Sequence, residues 1–228
     1  MSPSRIGIFG GTFDPVHQGH LIIAEQVMEA LGLARVLFVP TGIPPHKEAS
    51  SIVATTENRV AMVEAAISGN ERFVLDLTEA EAGRKMYSHE TVSLLKERHE
   101  AEEWYFISGA DEVSNLLAWK EPDRLLAQAY MVAATRPGHD LSELDLLAEE
   151  LENFDNIVPV ECSRVDISAT DIRERLRAGK TIRYLVPEAA REVILARELY
   201  TERDSDEATD ANDAKQPAGG GSLRREMS

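Results

Sequence analysis

Six short apolar runs recur along the chain, and most are separated by stretches whose apolar residues return at helical spacing. "RIGIFG" (5–10), "RVLFVP" (35–40), "RFVLDL" (72–77), "EWYFISG" (103–109), "AYMVAATR" (129–136) and "NIVPVE" (156–161) are continuous rather than alternating. A strand covered on both faces reads this way, whereas a half-solvated strand alternates. Between them "LIIAEQVMEALG" (21–32), "TENRVAMVEAAISG" (56–69), "SHETVSLLKERH" (88–99) and "DEVSNLLAWKEPDRLLAQ" (111–128) predict helices, with Gly32 and Gly69 as stops. The alternation predicts an α/β fold with a doubly wound, mostly parallel sheet, in which ligands lie beyond the carboxyl ends of the strands.

The strongly acidic "DLSELDLLAEELENFDN" (140–156) reads as a solvated amphipathic helix. Two C-terminal helices follow, in "DISATDIRERLRAGK" and "PEAAREVILARELY". Ser168 and Asp171 form a capping-box pattern for the first, and Pro187 suits the first turn of the second. From Thr201 the chain has neither aromatics nor apolar periodicity, so residues 1–200 are expected to form the domain and 201–228 a disordered acidic and polar tail.

Composition narrows the function. The chain has 228 residues, enough for one substantial core, with 43% hydrophobic and 28% charged residues. A net charge of −16 argues against a nucleic-acid or membrane-surface partner, which would need a basic face. Neither a leader-like segment nor an apolar run of membrane-spanning length is present. Cys162 is the only cysteine, which excludes internal disulfides and cysteine-rich zinc sites and fits a reducing, cytoplasmic setting. A homo-oligomer is left open.

The candidate chemistry starts at "GGTFDPVHQGH" (10–20), directly after the first strand. The dinucleotide pattern G-x-G-x-x-G is absent. "AGKT" (178–181) imitates the end of a phosphate-binding loop, but Glu174 occupies the upstream glycine position, and Gly179 is better read as a helix stop. In the opening motif, glycines admit a ligand close to the backbone, and His20 falls near a helix N-terminus, where free N–H groups and the helix dipole favour anions. Two imidazoles there can donate to phosphate oxygens. A zinc pair fits poorly, because no H-E-x-x-H and no third ligand accompany them.

"GGTFDPVHQGH" resembles the (T/H)-x-G-H signature of the nucleotidylyltransferase superfamily. "ISATDIRERL" (167–176) resembles its second signature, with Ala169 replacing a serine. Through "VPTGIPPHK", "MYSHETV", "GADEVSNLLAWKEP", "ATRPG" and "IRYLVPEAA", the chain from Arg5 to Tyr200 is similar to the bacterial nicotinate-nucleotide adenylyltransferase family. The resemblance implies a Rossmann-like nucleotidylyltransferase fold and transfer of AMP from ATP to nicotinate mononucleotide, giving deamido-NAD and pyrophosphate, with Mg²⁺ held mainly by substrate phosphates. It implies ATP contacts from Gly10, Gly11, Thr12, Phe13, His17, His20, Gly109, Arg136, Ile167, Ser168, Thr170 and Arg173, with His17, His20, Lys47 and Arg173 acting on the phosphates. For the acceptor it implies Lys47, Tyr87, Ser88, Asp111, Trp119 as the stacking aromatic, and Lys120. Ser88 stands where the family usually has threonine, and Glu90 where it has aspartate. Several of these residues also have plain structural readings: Lys47 as a solvated loop lysine, Ser168 and Asp111 as helix caps, Trp119 as core.

The chemistry suits the inventory. A phosphate monoester, with a second pKa of about 6, is largely ionised at neutral pH and needs no protein base. What remains is alignment and neutralisation of charge, tasks for histidine, lysine, arginine and helix N-termini. Alternatives of the same fold are transfer to nicotinamide mononucleotide or 4'-phosphopantetheine. A different class is a sensor that binds ATP without turnover.

Overall fold

The computed structural model describes residues 4–43, 52–138, 144 and 146–201. Six strands form one sheet: β1 (Arg5–Gly11), β2 (Arg35–Pro40), β3 (Phe73–Leu75), β4 (Glu103–Gly109), β5 (Tyr130–Thr135) and β6 (Ile157–Glu161). Their order is β3-β2-β1-β4-β5-β6 and every pairing is parallel. The winding therefore reverses between β1 and β4, which opens a crevice at their carboxyl ends.

The continuous apolar runs divide residue by residue between the two faces. Phe9, Val36, Phe38, Tyr105 and Ile107 face one core, shared with helices α1 (Gln18–Leu31) and α2 (Thr56–Ile67). Ile6, Ile8, Leu37, Val39, Trp104 and Phe106 face the other, shared with α3 (Ser88–Arg98), α4 (Ala110–Ser114) and α5 (Pro122–Leu126). The chain then forms α6 (Ala169–Arg177) and α7 (Glu188–Ala196), the latter packed on α2.

Gly32 ends α1 in the left-handed conformation (φ 62°), and Gly179 (φ 64°) follows α6 in the same way. α2 stops at Ser68, one residue before Gly69. Pro187 is the N-cap of α7 rather than a residue of its first turn. Only half of the expected capping box forms on α6: Ser168 Oγ accepts from the Asp171 N–H at 3.1 Å.

Two expected helices are corrected. The stretch 111–128 is broken into α4, a 3-10 turn at Leu116–Ala118, and α5. Pro122 cannot continue a helix from the preceding turn, and Glu121 before it sits at φ 52°. Within 140–156, two 3-10 turns (Leu146–Glu149 and Phe154–Asn156) replace a continuous helix over the later part, and Leu144, Leu147 and Leu151 are buried in the second core. Residues 139–143 and 145, and the tail from 202 onward, lie outside the described residues.

Candidate active site

The motif turn leaves β1 at the crevice and delivers His17 as the N-cap of α1, in extended conformation (φ −144°). His20, three residues on, reaches back: its Nδ1 accepts the His17 backbone N–H at 3.1 Å. That bond uses the unprotonated nitrogen, so the neutral imidazole carries its proton on Nε2 as a donor. The two rings stack at 3.7 Å between centroids, and Phe13 meets His20 edge-on at 5.1 Å. No acidic residue occupies the first turn of α1, so its N-terminus is left for an anion.

The two histidines are not equivalent. His17 is 8% exposed, and no hydrogen-bond partner reaches its Nδ1 among the described residues. Burial lowers its pKa to about 4. Its Nδ1 lies over Gly19, where an added Cβ would come to 3.1 Å, so glycine at 19 leaves room for the ring.

Because the unfolded chain takes up this proton first, near pH 6.5, His17 costs no stability above that pH and destabilises the fold as pH falls toward 4. At about 1.4 kcal/mol per pH unit, the full difference is about 3.5 kcal/mol. Urea unfolding at pH 7 and pH 5 is expected to show a smaller loss for His17→Asn than for the parent protein. Equal losses would remove this group from the acid response.

Two cavities meet along the crevice, sharing His20, Ile23 and Gly109. The first, about 240 Å³, is lined by His17, Asp111, Arg136 and Ile167 among others. The second, about 320 Å³, is lined by Gly10, Gly11, Thr12, Phe13, Thr41, Ser88 and Phe106 among others. The opening glycines thus border the same cavity as Ser88. Asp111, expected on the acceptor side, lies with Arg136 on the other.

Ser168 and Thr170 are exposed beyond the rim. Trp119 stands one ring back, edge-on to Phe106 at 6.0 Å. Tyr87 is the N-cap of α3, and Lys120 is exposed. Glu90 Oε2 accepts the Tyr87 N–H at 3.0 Å and its other oxygen pairs with Arg84 at 3.0 Å, which fixes the start of α3 and with it Ser88. Lys47 lies outside the described residues.

A polar hub that the sequence reading missed holds the turn from behind. Asp14 accepts from the backbone of Val53 (2.9 Å) and Ala54 (3.1 Å) and from the Tyr200 hydroxyl (2.8 Å). Arg173 donates to the Asp14 carbonyl at 2.6 Å, so the second signature grips the first through its backbone rather than pointing into either cavity. Arg59, 1% exposed, donates to the carbonyls of Thr12 (2.7 Å) and Gly42 (3.1 Å), which follow β1 and β2. Gly42 packs against the backbone carbonyl of Glu79 so closely that no Cβ fits there. The signal for Arg59 was in the pattern: it lies on the stripe of Met62, Val63 and Ile67, at helical spacing on the buried face.

Glu79 was also missed. It lines the second cavity, is buried, and accepts from the Thr91 hydroxyl at 2.7 Å. Burial raises its pKa, against the opposing hydrogen bonds from Thr91 and Thr41.

A doubly wound parallel sheet, a glycine turn at the switch point and a histidine pair at a helix N-terminus define a nucleotide-handling domain of the nucleotidyl-transfer class. The family model described as cytidylyltransferase-like matches residues 8–175. A protein of Rubrobacter xylanophilus named probable nicotinate-nucleotide adenylyltransferase is 67% identical over 196 residues, covering 86% of this chain and 92% of the relative. One of the same name from Geobacillus thermodenitrificans is 40% identical over 220 residues, covering 96% and 94%. The chain belongs to the cytidylyltransferase-like family and, within it, to the nicotinate-nucleotide adenylyltransferases. The fold is shared with the Plasmodium falciparum nicotinic acid mononucleotide adenylyltransferase complexed with NaAD, at TM-score 0.66 and 18% identity over 86% of this chain and 97% of that one.

Proposed function

We propose that the chain transfers AMP from ATP to the phosphate of nicotinate mononucleotide, releasing pyrophosphate and forming deamido-NAD, as a step of NAD biosynthesis. The observation that carries the chemistry is the junction of the two cavities at His20, whose ring lines both and whose Nδ1 accepts the His17 N–H. The relatives' names support the acceptor.

In this reading ATP lies along the first cavity. His17, His20 and the N-terminus of α1 face its phosphates, Arg136 stands at the mouth, and Gly109 and Ile167 form the walls. The acceptor lies in the second cavity against Ser88 and Phe106, with Tyr87, Trp119 and Lys120 behind, so that its phosphate meets the α-phosphate of ATP beside His20. The acceptor phosphate attacks in line. The new P–O bond forms as the bond from the α-phosphorus to the bridging oxygen breaks, and pyrophosphate leaves with that electron pair. The acceptor is already ionised, so no side chain removes a proton. His20 Nε2–H, His17 and Lys47 stabilise the charge that shifts toward the leaving group. Arg173, Ser168 and Thr170 hold the second signature against the turn.

Mg²⁺ fits this site as an ion carried by the substrate. It keeps most of its waters and is bound largely by substrate phosphates, so it needs few protein ligands. When bound, it neutralises charge on the phosphates. ATP as donor supports the cytoplasm as the setting of the reaction. Among the described residues, no helix is long and apolar enough to cross a membrane.

Pyrophosphate release with Mg²⁺ and ATP tests the proposal, with nicotinate mononucleotide, nicotinamide mononucleotide and 4'-phosphopantetheine compared as acceptors. Preference for the first is expected. Preference for another would keep the phosphate site and overturn the acceptor, and silence with all three in a protein that binds ATP would leave a sensor. Trp119→Ala is expected to raise KM for the mononucleotide roughly ten- to a hundredfold, the range of one lost stacking contact, with KM for ATP little changed. Equal losses for both substrates would point to damaged core packing instead.

A further inference from the structure

His89, in the first turn of α3, is a buried titratable side chain with no part in the chemistry above. It is 4% exposed, and its Nδ1 lies 3.1 Å from the carbonyl oxygen of Lys120. A carbonyl can only accept, so Nδ1 carries the proton and donates. Nε2 faces Glu121 Oε2 at 3.9 Å. The residue is itself held on α3: its carbonyl accepts from Ser93 Oγ at 2.9 Å, and its ring lies parallel to that of Tyr87, 6.3 Å away.

A wall of the second cavity and the segment packed behind it meet at this ring. The wall is the start of α3, where Ser88 lines the cavity. The segment behind is 119–121, whose Trp119 packs edge-on against Phe106, a residue that lines the cavity. That segment lies between helices rather than in one: Trp119 is extended (ψ 158°) and Glu121 is left-handed (φ 52°). Backbone bonds hold its two ends, Trp119 N–H to Leu116 and Leu125 N–H to Glu121, and the His89 bond between them ties it to α3.

We propose that His89 is a specificity-determining positioning residue for the acceptor: by donating Nδ1–H to the Lys120 carbonyl it fixes segment 119–121 against α3 and sets where Trp119 presents its ring to the pyridine of the mononucleotide. The proposal rests on the reading of Trp119 as the acceptor's stacking residue. ATP meets other walls of the crevice, so the effect falls on one substrate.

Three variants separate positioning from packing. His89→Leu fills the space and deletes the donor. His89→Gln stays polar but carries its amide where Nε2 was, and it serves if the leucine variant does not fold. His89→Asn places an amide N–H where Nδ1–H was. Leu and Gln are expected to raise KM for nicotinate mononucleotide about tenfold, the scale of one lost buried hydrogen bond, while KM for ATP and kcat stay within about twofold and Asn restores the parent value. In a Trp104→Phe background, Trp119 emission is expected to shift red and to quench more readily with acrylamide in Leu and Gln, but not in Asn. An unchanged mononucleotide KM in folded Leu or Gln, or losses shared by both substrates and by Asn, overturns the proposal. Trp119→Ala, measured alongside, tells the two ideas apart: no effect there removes the stacking reading and this proposal with it, whereas an effect there without one at His89 removes the proposal alone.

Discussion

His20→Ala is expected to lower kcat by about 10²–10³-fold, the scale of one deleted donor aimed at developing charge, while the protein stays folded. The side chain has two duties. Nδ1 caps the His17 N–H at the start of α1, and the ring lines both cavities where they meet. Losing the cap alone costs about 1 kcal/mol of stability, which a folded domain tolerates. His20→Asn divides the duties, because an amide oxygen can take the place of Nδ1 while nothing replaces Nε2. Asn is therefore expected to unfold in urea close to the parent midpoint and yet share the catalytic loss of Ala. If Asn turned over at the parent rate, His20 would be a helix cap and nothing more.

Arg59→Met is expected to destabilise the protein by about 3–5 kcal/mol, because it removes a buried charged donor from the Thr12 carbonyl and leaves the Gly42 carbonyl with only the Thr56 hydroxyl at 3.3 Å. Methionine keeps much of the volume, so the loss reports the hydrogen bonds more than a cavity. Arg59→Lys keeps a charge but lacks the planar fork that spans two carbonyls, and it should fall between the two. Urea denaturation measures both. A shift below about 1 kcal/mol for Met would mean that the ends of β1 and β2 are held by packing alone.

The sheet was legible because a strand buried on both faces has to be continuously apolar, and five of the six observed strands follow their runs to within one residue at either end. β3 is shorter, Phe73–Leu75 against an expected 72–77, because pairing with β2 covers only Val36 to Phe38. The stretch 111–128 was misread because helical spacing outweighed Pro122, whose effect on the preceding turn was there to be seen. At the site, adjacency to β1 was enough to locate His17 and His20. The difference between them was hidden, because burial of one ring and the back-bond of the other arise only when the chain turns. Asp14 read as part of a turn; its partners Tyr200 and Arg173 lie 186 and 159 positions away, a distance no local pattern crosses. Arg59 and Glu79 were readable only as polar residues on otherwise buried stripes, a signal that points to a buried partner without naming it.

The bond from Tyr200 to Asp14 also has a temporal meaning. A ribosome delivers the motif turn first and its last partner nearly at the end of the domain, at about 5–20 residues per second. During that interval the Asp14 carboxylate waits without its hydroxyl, and α2 without the helix that covers it. A nascent chain can assemble β1, β2 and β4 early, but the turn reaches its finished form only when Tyr200 has left the exit tunnel. Fragments ending before that residue lack the hydroxyl that Asp14 accepts, so the turn's full set of hydrogen bonds comes late in synthesis rather than accumulating along the way.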